Sequence, residues 1–127
     1  MCVKEWKRIA EWEAKRYRDR KAFLRGVADA GGKKTARADL YERWVQAIET
    51  VLRYLDLHDP EKARFFRMYY GTDGGQPGCR KKGMIAMTFA FHAGESTLYE
   101  WRKDLLSLLL IAAAQTGALK PFHKDAQ

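Results

Sequence analysis

The stretch TFAFHAGESTLYEWRK, residues 88–103, combines two helical patterns with a short turn and decides the fold. Two helices packed at a sharp angle require apolar residues on both inner faces, a small residue at their crossing and one apolar residue in the turn. These positions are filled by Met87, Thr88, Phe91, Ala93, Leu98 and Trp101. The spacing therefore predicts a helix-turn-helix.

The turn departs from the commonest pattern at two positions. His92 stands where glycine is usual, and histidine is one of the residue types that tolerate a left-handed backbone. Gly94 stands where a serine cap is common. We therefore expect Glu95 or Ser96 to provide the polar cap, and the helix dipole favours Glu95.

The outward side of the second helix is expected to enter the major groove of DNA. Lys103 can reach a guanine or a phosphate, Glu100 can accept from a cytosine amino group, and Ser96 can bond to either kind of group. Arg102 is expected at the flank of this face, where the phosphates lie. The candidate DNA-binding residues of this helix are Glu95, Ser96, Tyr99, Glu100, Arg102 and Lys103.

Basic residues outside this helix are further candidates for DNA binding. Arg80, Lys81 and Lys82 precede the first helix of the pair, where its amino end would meet backbone phosphates. Residues 1–37 carry twelve basic and five acidic side chains, so they hold seven of the chain's eight excess positive charges. Clustered cations are typical of polyanion binders, although solubility alone is an equally good reason for the charge.

The remaining sequence predicts more helices and an all-α fold class: a helical bundle with a C-terminal helix-turn-helix and a long basic N-terminal helix. The first helix is predicted over 3–28, before a polar linker that contains two glycines. Asp39 is predicted to cap the second helix, and Asp59 with Pro60 the third, which Gly71 ends.

This organisation predicts two parts, a basic N-terminal helix with its linker at 1–38 and a helix-turn-helix DNA-binding domain at 39–127. The apolar stripes give the expected core, and the four tryptophans are assigned to it. Trp12 lies off the main stripe, so a partner contact there stays open. Residues that mark these stripes are Val3, Trp6, Ala10, Leu40, Trp44, Ala47, Ala63, Phe66, Met68 and Tyr70.

The last predicted helix is apolar almost all round from Leu105 to Ala114. A helix of that kind has to be buried on every side. Two explanations stay open: the bundle core covers the whole helix, or part of it forms a homodimer interface. A two-fold dimer would allow two copies to read a pseudo-palindrome.

Several other classes of protein are disfavoured. The three histidines with Cys2 and Cys79 lack the spacing of metal ligands, and no nucleophile or phosphate-loop motif is present, so we expect no metal, no cofactor and no enzyme activity. Glu11 and Glu13 are expected to be solvated or capping charges. Two isolated cysteines favour a reducing cytoplasm, and the longest apolar run is too short for a membrane span.

The segment from Thr88 to Arg102 resembles the helix-turn-helix of the RinA and ArpU group of phage transcriptional regulators, whose members carry a threonine and a tyrosine after the turn and often Trp-Arg. A looser similarity extends over about 39–117, and the group is similar in layout to region 4 of bacterial sigma factors. The resemblance implies a phage or prophage regulator that binds double-stranded DNA. Two alternatives stay open: a DNA-packaging subunit of the small terminase type, and a protein-interaction adaptor, for instance to RNA polymerase.

Overall fold

A computed structural model describes residues 3–33, 35–73 and 81–119, and within them the chain is all-helical, without strands. The all-α prediction is therefore confirmed. The helices, in chain order, are α1 (Val3–Lys15), α2 (Tyr17–Asp29), α3 (Ala36–His58), α4 (Pro60–Tyr70), α5 (Lys81–Phe91) and α6 (Glu95–Thr116).

Helices α3 and α6 form the centre of the bundle and make the most extensive contact between any two described helices. Helix α2 covers α3, and α1 covers α6. Ile48 and Leu55 of α3 and Leu105 and Leu109 of α6 are fully buried in one continuous core. Burying a side chain of this size stabilises the fold by about 1.5–3 kcal/mol, so this pair of helices carries much of the stability.

An aromatic cluster joins the second half of the bundle. The ring of Phe65 in α4 packs edge-on against Phe91 of α5 and Trp101 of α6, with both centroid distances at 5.7 Å. Phe91 and Trp101 also meet edge-on at 5.9 Å. This geometry places the positive edge of one ring on the negative face of another, which favours the arrangement beyond simple burial.

The third helix expected from the sequence corresponds to α4, and both of its predicted ends are confirmed. The side chain of Asp59 accepts from the backbone N–H of Lys62 at 3.3 Å, and Pro60 occupies the first turn. Gly71 ends the helix with a left-handed backbone, φ 68°. Proline has no N–H to leave unpaired at a helix start, and glycine has no Cβ to clash at the end, which is why these signals are reliable.

The prediction of one long helix over residues 3–28 is wrong. Arg16 leaves the helical region with φ −105° and ψ 12°, which separates α1 from α2. Its backbone N–H bonds to the carbonyl of Glu13, a tighter turn than that of an α-helix. Since α1 packs on α6 and α2 packs on α3, one straight helix would not follow both surfaces.

The predicted start of the second predicted helix at Asp39 is also wrong. Helix α3 begins at Ala36, and Thr35 caps it by accepting from the N–H of Ala38 at 3.1 Å. The linker was predicted to extend to Ala38, but Ala38 is fully buried, so the linker is shorter than predicted. Asp39 instead pairs with Arg43 one turn along the helix, at 2.9 Å. Threonine and aspartate are both good caps, and sequence alone did not rank them.

Several core assignments were wrong because the phase of a stripe was misjudged. Met68, expected in the core, is exposed, whereas its neighbours Phe65 and Tyr69 are buried. Val3, the first residue of α1, and Leu40, in the second turn of α3, are exposed as well.

Trp12, assigned to the core with the other tryptophans, is 54% exposed. The guanidinium of Arg16 covers one face of its ring at 3.2 Å from the centroid. This cation–π contact lies at the junction between α1 and α2.

None of the helices in the described ranges has the length and apolar character needed to cross a membrane.

Replacing Phe65 by alanine is expected to lower the free energy of unfolding by about 3–5 kcal/mol, because it opens a cavity and removes the edge-on ring contacts. The matched control is Phe89→Ala on α5, where the native ring is 77% exposed and its loss should change stability by less than about 0.5 kcal/mol. Urea unfolding followed by circular dichroism measures both. Equal losses in the two variants would contradict the assignment of Phe65 to the centre of the cluster.

Candidate nucleic-acid interface

The turn between α5 and α6 has the geometry that the sequence predicted. His92 has a left-handed backbone, φ 52°, and the N–H of Ala93 bonds back to the carbonyl of Thr88 at 3.2 Å. Gly94 is extended, and its carbonyl accepts the N–H of Leu98 at 3.1 Å as the first hydrogen bond of α6. The chain therefore changes direction between Phe91 and Glu95 and enters a new helix at once.

The inner faces of the two helices are filled as predicted. Met87, Phe91 and Leu98 are buried, and Trp101 and Ala93 are partly buried against the same core. The small residue at the crossing, Thr88, turns its hydroxyl back to the carbonyl of Ile85 at 2.6 Å, so its polar group is satisfied within α5.

The expected side-chain cap is not formed at the amino end of α6. Gly94 is the capping residue and has no side chain to accept a hydrogen bond, and neither Glu95 nor Ser96 bonds to the backbone within the described residues. Glu95 does lie in the first turn, where the helix dipole favours an anion. The first N–H groups of α6 are therefore open to an outside acceptor.

The outward face of α6 is exposed as the sequence predicted, over Ser96, Tyr99, Glu100 and Lys103 as well as Glu95. Thr97, which the prediction omitted, is exposed beside them. Lys103 and Glu100 approach each other at 3.4 Å across one turn. Because both side chains are exposed, this ion pair contributes little and opens easily for a ligand.

Arg102, predicted at the flank of this face as a phosphate contact, is partly exposed and is engaged in an ion pair within the protein. Its guanidinium points inward and donates twice to the carboxylate of Glu11 in α1, at 2.8 and 2.6 Å. The hydroxyl of Tyr70 in α4 donates to the same carboxylate at 2.9 Å. Arg102 is therefore occupied in joining three helices.

The ionisation of these three groups follows from their contacts. Burial alone would raise the pKa of Glu11, but the hydrogen bonds and charge of Arg102, with the Tyr70 hydroxyl, outweigh it and lower the pKa. The same hydrogen bonds, which Arg102 donates to the Glu11 carboxylate, raise the pKa of Arg102. Burial and the adjacent carboxylate raise the pKa of Tyr70 well above its ordinary value, so the phenol remains a hydrogen-bond donor.

Glu11 and Glu13, expected as solvated or capping charges, are both engaged in ion pairs. Glu11 bonds to Arg102 as above, and Glu13 is buried and accepts from the guanidinium of Arg20 at 3.2 Å. The bond from Arg20 to Glu13 crosses the break at Arg16 and holds α2 against the end of α1.

The link between Glu11 and Arg102 brings basic residues of α1 beside the exposed face of α6. Lys4, Lys7, Arg8 and Lys103 surround a cleft of about 360 Å³. Leu106, together with Glu11 and Arg102, forms its remaining wall. The cleft is therefore rimmed by four cations, while the carboxylate within it is already neutralised by Arg102. Such a concentration of positive charge attracts anions from a distance.

The basic residues of α2 face another part of the molecule. Lys21 pairs with Glu49 of α3 at 3.0 Å, and the Arg20 guanidinium stacks on the ring of Tyr41 at 3.9 Å. Arg25 lines a separate cleft with Thr72 and Asp73, which follow the end of α4. The basic segment that the sequence treated as one surface is thus divided between two sides of the bundle.

The second predicted cluster of cations is described only in part. Arg80 lies outside the described residues. Lys81 and Lys82 form the first turn of α5, so they belong to that helix rather than preceding it, and their side chains lie outside the described atoms.

In the described ranges no group of three or more histidine, cysteine, aspartate or glutamate side chains is arranged to hold a metal ion. No family model matches the chain, and no curated protein or solved structure matches it either.

Replacing Glu11 by glutamine is expected to lower stability at neutral pH by about 1–3 kcal/mol, because it leaves the partly buried Arg102 charge without its partner. The lowered pKa of Glu11 also predicts how its contribution to stability changes as the pH falls. The carboxylate contributes stability above its unfolded-state pKa of 4.5, and the contribution disappears as the pH falls through the lower folded-state pKa. E11Q should therefore lose less stability than the wild type on acidification.

Denaturant unfolding at a series of pH values below 7 measures this difference. Glu5→Gln, an exposed glutamate of the same helix, is the matched control and should follow the wild-type profile. If E11Q and the wild type run parallel in acid, the Glu11 carboxylate is not held by Arg102 in solution.

Proposed function

We propose that this protein binds double-stranded DNA, with the amino-terminal half of α6 in the major groove. The observation that carries the proposal is the position of α1: Lys4, Lys7 and Arg8 lie beside the exposed, polar face of α6. A reading face with cations at its edge matches the layout of a duplex, in which the groove floor is bordered by phosphates.

Contacts to the bases are assigned to the outward side chains of α6. Lys103 donates to a guanine edge, Glu100 accepts from a cytosine amino group, and Ser96 and Thr97 bond to either donors or acceptors. Tyr99 supplies an apolar ring with a hydroxyl at its tip. The open N–H groups of the first turn of α6 are placed to receive a phosphate.

Contacts to the phosphate backbone are assigned mainly to α1. Lys4, Lys7 and Arg8 form no ion pair with any other described residue, so they are free to exchange counterions for phosphates. Lys81 and Lys82, in the first turn of α5, are the second candidates for this role. These contacts supply affinity without sequence preference, while α6 selects the site.

Regulation of transcription in a phage or prophage is the biological role that we propose. It rests on the resemblance of residues 88–102 to the RinA and ArpU group, together with the net charge of +8. Two alternatives make distinct predictions. A packaging subunit of the small terminase type would form a ring with a native mass beyond a tetramer. An adaptor to RNA polymerase would keep its function when the outward residues of α6 are replaced.

The first test is the salt dependence of binding to a labelled duplex, measured by fluorescence anisotropy between about 50 and about 200 mM salt. Binding should weaken steeply, by about tenfold or more, since several phosphates are contacted. Lys7→Ala should reduce the slope of log K against log salt by about one.

Arg25→Ala is the matched control for this experiment. It removes the same charge from α2, on the other side of the bundle, and should leave the slope unchanged. A flat salt profile, or no binding at low salt, contradicts DNA binding. An equal effect of the two variants would mean that net charge, and not the cleft beside α6, determines affinity.

The second test concerns sequence preference. Fragments bound by the protein are first selected from random and phage DNA. Lys103→Ala should then weaken binding to a selected fragment by about 5- to 150-fold more than binding to random duplex, because a bidentate contact to a base contributes about 1–3 kcal/mol of discrimination. Lys7→Ala should weaken both duplexes alike. Equal behaviour of the two variants on the selected fragment would exclude α6 as the reading element.

A further inference from the structure

An apolar groove runs between α3 and the carboxyl-terminal half of α6. It consists of two adjoining clefts, of about 430 and about 270 Å³, that share Tyr54, Leu108 and Ile111. Tyr54 is 50% exposed and Ile111 is 59% exposed, although both lie between well-packed helices. Contiguous exposed apolar side chains of this kind mark an interaction surface more often than a plain surface.

The charges around this groove differ from those of the rest of the chain. Lys62 lies 3.8 Å from Asp59 and 3.4 Å from Asp104, so one ammonium is shared by two carboxylates. The other groups in the two clefts are apolar or neutral, apart from His58. In a chain with a net charge of +8, the groove therefore carries no excess of positive charge.

The charge balance of the groove favours one kind of binding partner over another. A duplex or another polyanion gains nothing at a surface with two carboxylates. Two copies of a basic chain repel each other over most of their surfaces. This repulsion is absent where the groove of one copy, which has no excess positive charge, faces the groove of the other. In a two-fold contact each copy presents the same patch to the other, so a surface without excess charge brings no like-charge repulsion into the contact. We infer that a second copy of this chain docks here, and that the groove between α3 and α6 is a two-fold homodimer interface.

The position of the groove on α6 suits a dimer that binds one duplex, a step that rests on the proposed function. At 3.6 residues per turn, the residues of α6 that line the groove are centred about a quarter turn from Ser96, Tyr99, Glu100 and Lys103. In a two-fold dimer on DNA, the reading faces must point along the symmetry axis and the contact face must lie perpendicular to it. A quarter turn satisfies both requirements.

The spacing along α6 is consistent with this arrangement. The groove-lining residues are centred about ten residues after the reading residues, or about 15 Å at 1.5 Å per residue. Two antiparallel copies of α6 packed at the groove would hold their reading faces about 30 Å apart. That separation is close to the one helical turn of about 34–36 Å that separates successive half-sites of a duplex.

The test is the mass of the full chain in solution without DNA, measured by sedimentation equilibrium over a range of concentrations. The wild type should approach twice the chain mass of 14.7 kDa. Ile111→Glu should raise the dimer dissociation constant by at least about tenfold, because a charge is buried at the centre of the contact. Phe89→Glu is the matched control: it replaces a more exposed apolar residue, on α5, and should leave the constant unchanged.

Ile111→Cys, in a chain with Cys2 and Cys79 replaced by serine, gives a second readout that does not depend on destabilising the contact. Mild oxidation should link two copies, since Ile111 lines both clefts at the middle of the groove. A monomeric wild type, an oligomer larger than a dimer, or a dimer that Ile111→Glu leaves intact would overturn the inference. A monomer that binds DNA contradicts only the dimer, and a dimer that binds no DNA contradicts only the proposed function.

Discussion

The arrangement of the candidate interface depends on one carboxylate. Glu11 accepts two hydrogen bonds from Arg102 and one from Tyr70, so α1, α4 and α6 meet at a single anion. The planar guanidinium binds both carboxylate oxygens at once, which sets the direction of α1 as well as its distance from α6. Because the site is partly buried, water cannot fully replace the hydrogen bonds among these three groups. The contact therefore holds the cations of α1 at the edge of α6.

The features that sequence could predict are those decided within a few residues. The caps of α4, the left-handed backbone of His92 and the inner residues of α5 and α6 all follow from local spacing and residue type. The break at Arg16 and the start of α3 at Ala36 do not, because each depends on a neighbouring helix. Arg102 shows the same limit most clearly: its partner lies 91 positions earlier, and nothing in the spacing of either residue indicates the pair.

The candidate site also has features that the sequence could predict and features that it could not. The exposure of Ser96, Tyr99 and Lys103 could be predicted because one buried residue, Leu98, sets the phase of the helix. The grouping of Lys7 with Lys103 could not, since composition counts charges without saying on which side of the bundle they lie. The basic segment that seemed uniform separates into α1, which borders α6, and α2, whose cations are largely engaged with α3.

The left-handed backbone at His92 bears on how this turn can change over evolutionary time. A residue with a side chain in that conformation carries strain of about 1 kcal/mol, which glycine would relieve. Glycine would also give the unfolded chain more conformational freedom, at a cost of roughly 0.4–1 kcal/mol. The two effects nearly cancel, so histidine and glycine are close to equivalent here for stability. The position is therefore free to drift between them, and the residue found there says little about ancestry.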